Sequence, residues 1–206
     1  RGNINKLISY DLTLFNLNYK DRIGFAQKEF KDGSVKSERG NIGDAIIYGL
    51  ESNIDFDVNN LIIKNDNISL NVFLNTAIID SEYIRSEENG VIGKKVEFVP
   101  NYNIKTGIKL GIGNFIFNTQ YSHVSTQFTD SSNAKEGNIS GIIGEIPGYS
   151  LLDFSIAYRL KKIKIETGIN NLTNTYYFTR RATGYPGPGI IPSPPRNSYL
   201  TLQIRF

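Results

Sequence analysis

The densest group of side chains able to hold a ligand lies near the C-terminus. Arg180, Arg181 and Arg196 occur among Tyr176, Tyr177 and Tyr185, on a stretch that carries Pro186, Pro188, Pro192, Pro194 and Pro195. A guanidinium keeps its charge at any ordinary pH and grips a carboxylate or phosphate with a two-pronged fork. Tyrosine hydroxyls add donors, and a proline-stiffened backbone loses less entropy on binding. The expected chemistry is recognition of a small anion by Arg180, Arg181, Arg196 and Tyr185, set against the plain alternative of solvated loop charge. The Gly184-Tyr-Pro-Gly-Pro-Gly189 stretch makes a poor phosphate cradle, because proline removes backbone donors and no strand-to-helix context surrounds it. It reads as a rigid turn.

Other chemistry is thin. The chain has no cysteine, which excludes thiolate metal sites, disulfides and cysteine nucleophiles. His123 is the one histidine, so no multi-histidine metal site can form within the chain. No Ser–His–Asp set or carboxylate pair stands out, and neither catalytic residues, a metal site nor a cofactor is expected.

These residues must be positioned by 206 amino acids, a length that suits one all-β domain. Hydrophobic residues make up 39% and aromatic ones 12%, too apolar for a disordered chain. The net charge of +3 is small and forms no basic strip interleaved with aromatics, which argues against nucleic acid. No apolar run approaches the roughly 20 residues of a membrane helix. A membrane β-barrel escapes that test, since only alternate residues meet lipid. With no methionine and no leader-like segment, the chain is expected to be a piece of a longer precursor whose signal peptide lies upstream.

Alternation with a period of two dominates the sequence. Ile46, Tyr48, Leu50, Ile54, Phe56 and Val58 oppose Gly49, Glu51, Asn53, Asp55 and Asp57. Leu70, Val72, Leu74 and Ile78 oppose Ser69, Asn71, Phe73 and Asn75. The same contrast recurs from Ile104, Phe115, Leu152, Ile163 and Leu200 onward. A first strand from about Ile8 to Ile23 is expected to slip phase near Phe15 and Asn16. The expected fold is all-β: eight antiparallel strands of about a dozen residues each, and no helix. Short turns are expected at 64–67, 111–114 and 161–162, and long polar loops at 26–44, 80–100, 129–148 and 179–197. A dozen residues at about 3.3 Å each, tilted near 40°, cross a ~25 Å apolar band. A β-sandwich would alternate too, but it does not account for long loops at one end only.

The C-terminal third is specific. Gly168, Asn171, Leu172 and Asn174, followed by Tyr176, Tyr177 and a terminal Phe206, resemble the closing segment of TonB-dependent outer-membrane receptors. Tyr177 to Arg181 with Gly184 to Gly187 resembles receptors of the ferric-citrate type. Tyr19 to Ile23 and Tyr48 to Glu51 also fit such barrels, so the resemblance runs over the whole chain. It implies that residues 1–206 are the C-terminal part of a transmembrane β-barrel of about twenty-two strands, without its plug domain or signal peptide. It further implies uptake of a ferric chelate, a siderophore or ferric citrate, energised by the TonB complex through the missing N-terminal part. Leu200, Leu202, Ile204 and Phe206 are then the signal read by the barrel-assembly machinery. Implied surroundings are outer-membrane lipid and lipopolysaccharide, whose phosphates offer the loop arginines another partner. Two other functions are open: a small eight-stranded outer-membrane barrel acting in adhesion or binding, and an outer-membrane enzyme, which the missing catalytic set disfavours. Tyr10, Tyr48, Tyr83, Tyr121, Tyr149 and Tyr158 are expected near strand ends, mainly in interfacial girdles with a few facing the lumen instead, and His123 on the lipid-facing row near the outer rim.

Overall fold

The computed structural model describes residues 1–32, 35–65, 67–184 and 187–205, with the backbone alone at residues 25–29, 35 and 37–39. Eight long strands form one antiparallel sheet. They are β2 (Ile8–Glu29), β3 (Val35–Asp57), β4 (Ile68–Arg85), β5 (Tyr102–Ile112), β6 (Phe115–Val124), β9 (Tyr149–Leu160), β10 (Ile163–Asn170) and β13 (Asn197–Ile204). A three-residue strand, β1 (Gly2–Ile4), pairs with the start of β2. Two small hairpins stand in the long connections: β7 (Gln127–Phe128) with β8 (Glu145–Ile146), and β11 (Phe178–Ala182) with β12 (Gly189–Pro192). Long strands adjacent in sequence are neighbours in the sheet, so the topology is a plain meander. The sheet is open, with β1 and β13 at its ends.

The ladder turns the period-two pattern into rows. One row runs Ile8, Phe56, Val72, Ile108, Thr119, Phe154, Ile169. Another runs Ile68, Ile112, Phe115, Tyr158, Ile165, Leu202. Between them on the opposite face run Asp57, Asn71, Lys109, Asn118, Ser155, Gly168 and Tyr199. The apolar face is uncovered: Leu14, Leu200 and Leu202 are 82%, 75% and 61% exposed. In water such a face would be a large aggregating patch; in a bilayer it is the lipid contact. On β4 it extends from Ile68 to Ile78, about 25 Å of height at a 40° tilt, before Asp80 and Glu82 end it.

The ends of the sheet differ as expected at three of the four connections on each side; 58–67 is longer, and 30–34 shorter, than expected. Turns 5–7, 58–67, 113–114 and 161–162 lie at one end, while 30–34, 86–101, 125–148 and 171–196 lie at the other. Several details depart from the sequence reading. Residues 26–29 and 35–44 are strand rather than loop, because β2 and β3 continue as a ladder-bonded hairpin beyond the apolar band. There the sequence carries no period-two hydrophobic contrast to mark a strand. Phe15 and Asn16 pair regularly with Gly49 and Tyr48; the register breaks instead between Tyr19 and Arg22, where Asp21 takes a φ of 51°. Val58 leaves β3 and is followed by one π-helical turn, Asn59–Ile63, closed by Lys64 at φ 52°. β10 and β13 are only eight residues long. β10 ends because Asn171, at φ 52°, turns the chain away. Tyr83 faces inward and is fully buried, so it is no girdle residue.

Candidate functional site in the long-loop end

Three long connections pack on one another at this end. The first, residues 86–101, follows the edge of β4 where β5 no longer covers it: Tyr83 donates to Lys94 O (2.9 Å) and Gly93 to Tyr83 O (2.8 Å). This pairing puts Val96 inward, where it packs with Ile42, Ala45, Ile47, Tyr83 and Val91. Inside that core Glu97, 4% exposed, accepts from Arg22 Nη1 at 2.6 Å and from Tyr83 Oη at 2.6 Å. Arg22 also donates to Tyr83 Oη at 2.7 Å. Burial, then the bond to Glu97, push the Tyr83 hydroxyl pKa far up, so it stays a donor at every relevant pH. On the other face Lys95 pairs with Asp80, which also accepts from Tyr48 Oη at 3.0 Å.

The second connection, 125–148, is tied to the first through Asn133 and a backbone bond. Asn133 accepts from Lys95 N at 2.6 Å and donates to Lys95 O at 2.9 Å, reproducing with a side chain the two bonds of a strand pair. Phe98 N donates to Phe128 O nearby (2.9 Å). Within the loop, Thr129 Oγ1 bonds Gly144 O at 2.9 Å, and Asn138 Oδ1 accepts from Ile142 and Ile143.

The third connection carries the arginines. Arg180 and Arg181 are successive on β11 and project to opposite sides. Arg181 turns into the second loop: Nε and Nη2 donate to Glu145 O at 3.1 and 2.9 Å, and Nη1 to Gly141 O at 2.8 Å. Its guanidinium lies 5.1 Å from the Phe178 ring centroid. Burial, opposed by Glu145, lowers its pKa, yet arginine remains charged. The loops touch closely here, since a Cβ on Gly189, at φ 117°, would stand 3.0 Å from Ser140 O. Arg180 is exposed and makes no ion pair or side-chain hydrogen bond with the described residues. Arg196 sits at the loop base, where its backbone N donates to Asn174 Oδ1 (3.0 Å) and Nη1 reaches Leu172 O (3.4 Å). Tyr185 lies outside the described residues, as does Phe206. Leu200, Leu202 and Ile204 stand in the exposed apolar rows.

Asn171 organises this loop, a role that the sequence pattern alone did not assign. It is 3% exposed; its backbone N donates to Asp153 Oδ1 (2.8 Å), and its amide accepts from Thr175 N and donates to Thr175 O (2.8 and 2.9 Å). Gly168, two residues before β10 ends, leaves room for the Tyr199 ring, which a Cβ would meet at 2.5 Å. His123 stands on the outward row between Ile104 and Ser150, with Nδ1 2.9 Å from Ser150 Oγ.

Comparison with known proteins agrees with this architecture. The family described as TonB dependent receptor-like, beta-barrel matches residues 3–172. Among solved structures, the ferric citrate transporter FecA in its unliganded form superposes with a TM-score of 0.78 at 22% identity, over 98% of this chain and 29% of its own. The copper transporter OprC gives 0.71 at 16% identity, over 98% and 30%. The ferric yersiniabactin uptake receptor FyuA from Yersinia pestis gives 0.71 at 17%, over 98% and 28%. The chain thus spans less than a third of the length of these proteins.

Proposed function

The chain belongs to the TonB-dependent receptor-like β-barrel family, and from that premise we propose that it forms the C-terminal part of a receptor that takes up an anionic ferric chelate. Its location is the bacterial outer membrane. The open sheet favours this reading over a complete eight-stranded adhesion barrel, because closure of the latter needs β13 hydrogen-bonded to β1 or β2. In the whole protein about twenty-two strands close the wall. A plug and the TonB complex, both outside this chain, supply gating and energy.

The observation that carries the ligand reading is the division of labour between two adjacent arginines. Arg181 is spent on the carbonyls of Gly141 and Glu145 and holds the β11–β12 hairpin in place. Arg180, on the other side of the same strand, keeps its fork open to solvent. Arg180 therefore touches the chelate and Arg181 positions it, with Arg196 at the loop base and Tyr185 as further contacts. In the full-length receptor, Arg180→Ala is expected to weaken chelate binding by about 1.5–3 kcal/mol, the worth of a hydrogen bond to a charged group. Unchanged affinity at normal surface level assigns Arg180 to solvated charge or lipopolysaccharide contact.

A further inference from the structure

A second cluster of cations lies at the opposite, short-turn end. Arg159, Lys161, Lys162, Lys164 and Arg205 line a shallow cup, together with Ile163 and Gln203, where the β9–β10 turn meets the end of β13. Register fixes its facing. Arg159, Lys164 and Gln203 form one row of the polar inner face, and Leu160, Ile163 and Ile204 form the last apolar row outside. Arg205 is joined to the turn by its backbone N, which donates to Lys162 O at 2.8 Å.

The cup breaks a local rule. Arg159 and Lys164 stand directly opposite each other across an antiparallel pair, an arrangement that like charges disfavour. Glu166 is the nearest carboxylate in register, and its oxygens are taken by Lys164 Nζ (2.5 Å) and Tyr199 Oη (3.1 Å). Arg159, Lys161, Lys162 and Arg205 have no carboxylate partner among the described residues. Of the other acidic residues of the same face, Asp153 lies six residues up β9, about 20 Å away, and accepts from Asn171 N; Glu51, Asp55 and Asp57 lie on β3, four strands from β9. At about 4.8 Å per strand that is roughly 19 Å, more than two Debye lengths at physiological salt. They cannot neutralise the cup. The whole chain carries a net +3, so its excess positive charge is concentrated here.

We propose that this cup docks an acidic polypeptide segment approaching the barrel interior from the short-turn side. Headgroup phosphates are the weaker match, because Arg159, Lys164 and Gln203 stand on the inner face, whereas the row facing lipid beside them is the apolar Leu160, Ile163 and Ile204. A single small anion would engage two or three donors and leave the rest repelling each other. Spaced carboxylates on a peptide satisfy arginine forks and lysine points together. The inference is independent of the chelate reading above.

In the full-length receptor, with any cysteine beyond these 206 residues replaced by serine, Gln203→Cys gives a unique thiol reporter that preserves every cation of the cup, since residues 1–206 contain no cysteine. Asn53→Cys on the same face serves as the distant control. In zwitterionic micelles, hexaglutamate is expected to slow maleimide labelling at position 203 about tenfold, and 1 M salt, with a Debye length of about 3 Å, to reverse it. Labelling at position 53 stays unchanged, and Lys161→Gln, Lys162→Gln and Arg205→Gln together abolish the protection. Equal slowing at both positions means diffuse attraction and overturns the proposal. So does an absence of protection at position 203, or protection by phosphatidylglycerol in the micelle but not by the peptide.

Discussion

The apolar band and the long-loop end are built from the same strands but held by different forces. In the band, neighbouring strands are joined by an unbroken ladder, and side chains on the outer face meet little beyond their cross-strand neighbours, as Phe115 and Tyr158 do with ring centroids 4.8 Å apart. Its stability comes from backbone pairing and from lipid, so any residue of the right polarity serves. Above the band, the inner face becomes a dry core around Ile42, Ala45 and Tyr83, and single side chains carry the architecture: Glu97, Asn133, Asn171 and Arg181. The lesson is that the wall tolerates changes of shape but not of polarity, whereas the loops tolerate neither at those four positions.

The largest effect is expected where the loop end buries charge. Glu97→Ala leaves the largely buried Arg22 guanidinium without its counter-charge and with only Tyr83 Oη to accept from it, which costs up to about 3–5 kcal/mol, as for a half-broken buried pair. Loop 86–101 should then lose protection in hydrogen exchange while β5 and β6 keep theirs. Uniform loss across the sheet would show that the two regions are not separable. In the band, Ile156→Arg puts a charge on the lipid face, at a cost of up to about 2–4 kcal/mol, while Ser155→Arg on the inner face is expected to be mild. Heat-modifiable mobility on gels reads both. Equal impairment would remove the distinction between faces. The smallest effect is Asn133→Ala, which removes two bonds to the Lys95 backbone and should cost about 1–3 kcal/mol. Limited proteolysis should cut 125–148 faster in that variant, and an unchanged rate would mean the loops are held elsewhere.

This contrast explains what could be read without coordinates. Alternation at Leu70, Val72 and Leu74 is a physical requirement of the band, so strand identity, facing and the end with long loops were legible. The upper halves of β2 and β3 were not, since no alternation is imposed beyond the lipid band, and the core around Ile42 is closed by loop 86–101, which the strand sequence does not reveal. Tyr83 was misplaced because a buried tyrosine and a girdle tyrosine look alike until the loop that covers one of them is seen. Arg180 and Arg181 could be picked out as chemistry but not told apart. Their different surroundings follow from β11 being a strand, which sends adjacent side chains opposite ways. Asn171 matched a family pattern, yet its work depends on Thr175 and Asp153 lying within hydrogen-bond reach.

The central claim is that this sheet is a wall with one face in lipid and the other in a polar interior. A cysteine scan of β9 tests it most directly, because the chain has no cysteine of its own. Single thiols at positions 151 to 158, labelled with an environment-sensitive dye in reconstituted membranes, are read with a quencher attached to lipid tails. Leu152, Phe154, Ile156 and Tyr158 are expected to be quenched, and Leu151, Asp153, Ser155 and Ala157 to be spared. A flat profile, or quenching with the opposite phase, would contradict the account.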